Sequence, residues 1–306
     1  MKNSEYIKIC LECNNAFKLI IIFNNMKELT IELPGECALD CVHCSHSLNE
    51  ELQMDHPEFE EEELLDMVRD TEISKVRISG GEPFLIHEPG MFTILEEAKR
   101  LGKQTEVLSS VVYSRAPSYH KFIAQPIPEQ LFAGLRELVD KICFSLYGNE
   151  EVHDNITRTE GSFRALSESV RRARKYGVNL GFNFVPLRMN VHSMDDVASY
   201  VRYQQTMTKK EVDLGILRFI RQGGACLASD YALNKDETNK LRARIPYIAA
   251  KYSIKINMGC SFAEKGCRAK IGKKVIMPGK IRVCSALKYV EAPEIIHGKC
   301  ACEKLW

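Results

Sequence analysis

Between residues 28 and 252, short runs rich in β-branched and aromatic residues alternate with longer stretches whose apolar residues recur every three or four positions. No other feature constrains the fold as tightly. Strand and helix in strict succession demand a mainly parallel sheet, because parallel neighbours need a crossover and a helix supplies it. The strand-like runs are 29–33, 75–79, 104–110, 141–148, 179–187 and 211–219. The helical stretches are 59–70, a stripe of Phe92, Leu95, Ala98 and Leu101 closed by Gly102, then 128–139. A stripe of Phe163, Leu166, Val170 and Ala173 closed by Gly177 follows, then a stretch through Val197, Tyr200 and Val201, and finally 234–252. Ser193 and Asp196 read as a capping box, and Pro246 as a kink in the last helix. Residues 111–127, with Pro117 and Pro126, read as irregular. Six such units make an α/β fold, a partial (β/α)6 barrel of TIM type rather than a closed eight-fold ring. The expected organisation is an N-terminal extension over 1–27, the barrel over 28–255, and a small Cys-rich β-hairpin extension over 256–306.

Cys37, Cys41 and Cys44 follow the first strand, on a loop opened by Pro34 and Gly35. Chemistry in such barrels gathers at the C-terminal ends of strands, and that is where these thiols fall. Thiolates hold iron–sulfur clusters, and a four-iron cubane takes four of them, so three with no near fourth leave one iron open. Short cysteine spacings also build zinc sites, and the loop alone admits either. The chain carries twelve cysteines in 306 residues. Disulfide frameworks belong to much smaller domains, so metal or redox use in a reducing, cytoplasmic setting is expected.

A net charge of +1, from 42 basic and 41 acidic residues, gives no polyelectrolyte affinity for nucleic acid. The apolar run Leu19-Ile20-Ile21-Ile22-Phe23 is far short of the roughly 20 residues that cross a bilayer. Glu5 and Glu12 before it argue against a signal peptide. Residues 1–27, with the Cys10/Cys13 pair, read as an extra strand on the barrel, or as residues preceding a true start at Met26.

The second strand-like run leads straight into Gly80-Gly81-Glu82-Pro83. With the three-cysteine loop before it, the chain resembles the radical S-adenosylmethionine (SAM) superfamily, whose CxxxCxxC loop follows the first strand and whose GGEP turn ends the second. The usual aromatic residue before the last cysteine is here His43. The resemblance implies that Cys37, Cys41 and Cys44 ligate a 4Fe–4S cluster whose open iron chelates SAM. It further implies that Gly80, Gly81, Glu82 and Pro83 form the turn that contacts the methionyl amine. The stretch from Ser145 through Tyr147, His153 and Asp154 to Arg158 is similar to the fourth-strand region of members that carry extra clusters. Ser145, Arg158 and, at the end of the third strand, Ser110 become candidate SAM contacts. Tyr147, Asp154 and Cys226, at or beyond strand ends, are the candidate catalytic side chains.

In the tail, Cys267 is followed by eleven residues, Gly279, four more and Cys284, with Pro278-Gly279 as a hairpin turn. This spacing resembles the SPASM/Twitch extension, which holds an auxiliary 4Fe–4S cluster. Cys260, Cys267, Cys284 and one of Cys300 or Cys302 are its implied ligands; structural zinc is the alternative. The basic residues Lys265, Arg268, Lys270, Lys273, Lys274, Lys280 and Arg282 suit an acidic reductant such as flavodoxin or ferredoxin. The implied activity is reductive cleavage of SAM to a 5′-deoxyadenosyl radical, and oxidative modification of a peptide or small-molecule substrate. The auxiliary cluster would accept an electron or bind substrate. The rival reading is a non-catalytic iron–sulfur or zinc protein, which leaves Gly80-Gly81-Glu82-Pro83 unexplained.

Overall fold

The computed structural model describes residues 28–33, 37–44, 61–85, 90–118, 121–220, 223–258, 273–277 and 280–282. The N-terminal extension with Cys10 and Cys13, and the tail cysteines Cys260, Cys267, Cys284, Cys300 and Cys302, lie outside them.

Six strands form the parallel body of the sheet: β1 (Glu28–Leu33), β2 (Lys75–Gly80), β3 (Gln104–Ser109), β6 (Lys141–Ser145), β7 (Leu180–Phe184) and β8 (Asp213–Ile216). Between β3 and β6 lies an antiparallel hairpin, β4 (Val112–Ser118) and β5 (Lys121–Pro126), that pairs only with itself. The helices are α1 (Glu61–Arg69), α2 (Gly90–Arg100), α3 (Glu129–Leu138), α4 (Glu150–Thr157), α5 (Ser162–Lys175), α6 (Met194–Thr208) and α7 (Lys235–Tyr252). A further strand, β9 (Lys255–Met258), extends the sheet beside β8. At the other edge β10 (Lys273–Met277) runs parallel to β1 and turns back antiparallel into β11 (Lys280–Arg282). The fold is thus an open, partial (β/α)6 barrel whose first strand is covered by a hairpin from the tail.

Side-chain alternation along each strand divides two environments. Leu29, Ile31, Val76, Ile78, Val107, Ile142, Phe144, Phe182, Leu214 and Ile216 face the helices and are fully buried in one apolar core. The helices meet that core with matching stripes: Ile94, Leu95 and Ala98 from α2, and Leu166, Val170 and Ala173 from α5. Such burial supplies most of the stability, at about 25 cal/mol per Å² of apolar surface removed from water.

Many of the intervening strand residues are polar or charged. Near the start of β3, Glu106 meets Lys75, Arg77 (3.0 Å) and Lys141 (3.7 Å), and Arg77 also pairs with Glu28. Lys141 reaches Asp213 at 3.3 Å, and Asn257 on β9 donates to the same carboxylate at 2.7 Å. Ionic pairs thereby cross-link five strands, and the Asn257 amide ties β9 to the same network.

Helix starts follow cap chemistry, with one departure from the sequence reading. Ser193 makes no side-chain cap bond; it closes the 3-10 turn Val191–Ser193 with φ −82° and ψ 9°. A capping hydroxyl needs extended backbone at the cap position, which that turn denies it. The true box is at Asn234 (φ −74°, ψ 178°), whose side chain accepts from Glu237 N at 2.9 Å while Glu237 accepts from Asn234 N at 2.7 Å.

Candidate active site

Apolar anchors hold the three-cysteine loop in place. Ala38 and Leu39 pack with Val112, Ala124 and Ala165, and Val42 packs on the other side with Tyr147, Ile156, Leu187 and Ala228. Backbone bonds fasten the same loop to the helices: Asp40 N donates to Thr157 O (3.2 Å), Val42 N to Ile156 O (2.9 Å), and Ala225 N to Cys44 O (3.0 Å). The three cysteines between these anchors are half-buried and in no disulfide. Burial pushes the Cys37 thiol up to about 12, with the Glu82 charge adding to it. Burial likewise holds the Cys41 thiol well above its ordinary value, and the charges of Cys37 and Cys44 add to it. Ionising Cys37 and Cys41 here therefore needs a cationic centre, which is what a bound iron group supplies.

The GGEP turn lies against this loop. Leu33, the last residue of β1, is in register with Gly80, and Gly81 N donates to Leu33 O at 3.4 Å. Gly80 has φ +130°, and a Cβ there would sit 2.1 Å from Leu33 O, so only glycine fits. Glu82 is buried and anchored. Its carboxylate accepts from Ser109 Oγ (2.6 Å), Ser110 N (2.8 Å), Ser110 Oγ and, more weakly, Phe84 N (3.3 Å). Burial raises its pKa and the two serines oppose that rise. Val111, fully buried at φ +57°, turns the chain out of β3 immediately after Ser110; its N donates to Ser109 Oγ at 2.7 Å. A β-branched residue in that region is strained. Here the Val111 N–Ser109 Oγ bond and the Ser110 N–Glu82 bond accompany it.

A wall of rings closes the side nearest β6. His43 Nε2 lies 2.9 Å from Tyr147 Oη, with the rings edge-on at 4.6 Å. Tyr147 stacks on His153 at 5.3 Å, and Tyr147 N donates to His153 Nδ1 at 3.2 Å. Burial lowers both histidines to about 4, so each imidazole is neutral at pH 7. His43 Nδ1 and His153 Nε2 are shut off from solvent without a partner among the described residues.

The remaining candidates fall around this centre. Ser110 is engaged with Glu82 and also hydrogen-bonds Cys37. Ser145 ends β6 and hydrogen-bonds Tyr147. Arg158 caps the end of α4 in a left-handed conformation (φ 50°), and its guanidinium meets Asp40 of the cysteine loop at 3.6 Å. Asp154 holds the start of α5, accepting from Gly161 N (2.7 Å), Ser162 Oγ (2.8 Å) and Phe163 N (2.8 Å). Cys226 belongs to the 3-10 segment Gly223–Tyr231, whose Ala225 touches Cys44. Spacing alone could not have found the His43–Tyr147 pair, which joins residues 104 positions apart.

A cavity of about 490 Å³ opens elsewhere, at the N-terminal strand ends, lined by Lys75, Lys99, Lys103, Glu106, Asp140 and Lys141. Its cations are already engaged, Lys99 with Asp140 and Lys103 with two backbone carbonyls. The candidate centre is the cysteine loop.

The residues there fit a four-iron cluster. Three half-buried thiols share one short loop, and among the described residues no group of three His, Cys, Asp or Glu side chains is placed to hold a single ion. A buried, unpartnered imidazole nitrogen stands within the same loop.

Comparison with known proteins gives the same answer. The antilisterial bacteriocin subtilosin biosynthesis protein AlbA of Bacillus subtilis (strain 168) is 24% identical over 173 residues, covering 56% of this chain and 36% of AlbA. Streptococcus suis SuiB bound to S-adenosylmethionine matches with a TM-score of 0.65 at 17% identity, over 88% of this chain and 63% of SuiB. Native anSMEcpe with bound AdoMet matches at 0.54 and 16% identity, over 76% of this chain and 64% of that one. This chain thus spans about a third of AlbA and under two thirds of SuiB, and the structural likeness speaks for the fold. The model of the radical SAM superfamily matches residues 31–201, more than half of the 306. The chain belongs to the radical SAM superfamily, enzymes whose cofactors are a 4Fe–4S cluster and S-adenosylmethionine.

Proposed function

We propose that this enzyme oxidatively modifies a peptide, with an auxiliary cluster in its tail. The observation that carries the core of this reading is the fastening of the GGEP turn to the strand that delivers Cys37, Cys41 and Cys44. When bound, the cluster and SAM supply a 5′-deoxyadenosyl radical that abstracts hydrogen from substrate. Cys37, Cys41 and Cys44 hold the cluster, and the backbone of Gly80, Gly81 and Glu82, with Pro83, presents donors and acceptors to the methionyl group. Ser110 keeps Glu82 in place, Ser145 borders the site through Tyr147, and Arg158 lies beside the loop at Asp40. Packing of Leu39 and Val42 against the barrel keeps water from the reacting centre.

The peptide assignment draws on the relatives. AlbA acts in bacteriocin biosynthesis, SuiB has been seen with its precursor peptide SuiA, and anSMEcpe with a bound peptide. The auxiliary cluster draws on the spacing of Cys260, Cys267, Cys284, Cys300 and Cys302, and on the antiparallel pairing of β10 with β11. An acidic flavodoxin or ferredoxin is the proposed reductant.

The test is anaerobic reconstitution followed by a peptide deuterated at its side chains, with SAM and dithionite. Deuterium in the released 5′-deoxyadenosine together with a peptide lighter by one hydrogen pair is the expected outcome. Unlabelled 5′-deoxyadenosine from every peptide presented would overturn the peptide assignment.

A further inference from the structure

His43 occupies an unusual position. It lies between two cysteines of the cluster loop, its ring is set by the edge-on contact with Tyr147, and Tyr147 is itself set by stacking on His153. The residue as a whole is partly exposed, yet Nδ1 is sealed from solvent and has no partner among the described residues. A buried polar nitrogen left unpaired costs about 1–3 kcal/mol, and a group bound at the cysteine loop would supply the missing partner. A neutral imidazole carries one N–H, and the other nitrogen's bond decides which. When Tyr147 Oη donates to Nε2, the proton resides on Nδ1.

We propose that His43 is a positioning residue for the cluster, its Nδ1–H donating a hydrogen bond to a sulfur of the iron–sulfur group held by Cys37, Cys41 and Cys44. The Tyr147 hydroxyl selects the tautomer, and the ring wall fixes the direction of the bond. Hydrogen bonds to cluster sulfur stabilise the more negative, reduced form and raise its reduction potential. His43 thereby eases the electron's entry. The inference rests on the reading that these three cysteines hold the cluster.

The experiment is an EPR-monitored potentiometric titration of the reconstituted enzyme without SAM, following the signal that Cys41→Ala abolishes. His43→Phe keeps an aromatic ring and removes both nitrogens. The expected result is a lower midpoint potential at unchanged iron content, with a smaller shift of the same sign in Tyr147→Phe. If His43→Phe fails to hold the cluster, Tyr147→Phe alone decides, a lowered potential supporting the proposal and an unchanged one overturning it. An unchanged potential in an intact His43→Phe cluster also overturns it. So does a shift that appears only once SAM is bound, which would assign Nδ1 to the nucleotide. Absence of the Cys41-dependent signal in the wild type would instead defeat the underlying ligand assignment.

Discussion

Gly80 and Glu82 illustrate how single residues of one motif do different work. Gly80 has its backbone at φ +130°, with Leu33 O where a Cβ would stand. Gly80→Ala is expected to cost at least about 3 kcal/mol in urea denaturation, since strain and a backbone clash act together. Glu82 instead works through its carboxylate, which gathers Ser109 and Ser110 at the end of β3. Glu82→Gln replaces an acceptor oxygen by a donor facing Ser110 N, and a loss of about 1.5–3 kcal/mol is expected by the same measurement. The motif was legible in the sequence, but this use of the glutamate side chain was not, because its partners lie 27 and 28 residues away.

At the scale of elements, the link between α4 and α5 braces the cysteine loop. Thr157 O and Ile156 O receive the loop's N–H groups, and Asp154 fixes the start of α5 just beyond. Asp154→Ala is expected to lower stability by about 2 kcal/mol, the upper end of cap losses, because three donors lose one acceptor. Stopped-flow turnover per reconstituted cluster should remain within a few-fold of wild type, and a collapse of turnover at full cluster content would assign Asp154 to catalysis. The Arg158–Asp40 pair, with side chains 54% and 55% exposed, contributes little beside these bonds.

The six parallel strands and most helices were legible because their apolar residues recur at the periods of strand and helix. Other elements were hidden for identifiable reasons. Strand β9 is four residues long and alternates Lys255 and Asn257 with apolar neighbours, so it reads as the end of α7. The β4–β5 hairpin carries Pro117 and Pro126, tolerated because the pair joins no larger sheet. Helix α4 spans eight residues, too few to display a stripe.

For the whole molecule, the ionic cross-links at the N-terminal strand ends oppose the reactive end. Burial disfavours the Glu106 charge, but Arg77, Lys75 and Lys141 overcome that and hold its pKa at about 2. Its side chain is only 5% exposed, so solvent screens the interaction weakly. With the folded pKa depressed, this stabilisation is complete above the unfolded value near 4.5 and is lost as pH falls from there toward 2. Its size is about 3 kcal/mol at 1.4 kcal/mol per pKa unit. Glu106→Gln is expected to lower neutral-pH stability by about 3–5 kcal/mol and to flatten that acid limb in urea titrations from pH 5 to 2. Iron content speaks to the tail: about eight irons per reconstituted chain are expected for two cubanes, and about four would remove the auxiliary cluster.

The most direct measurement is 5′-deoxyadenosine released from SAM by the anaerobically reconstituted, dithionite-reduced protein, beside Cys41→Ala treated identically. Release by the wild type and none by Cys41→Ala is the expected result. Intact SAM in the presence of a fully formed wild-type cluster, or equal release by the variant, would contradict the assignment of the cysteine loop as the site of cleavage.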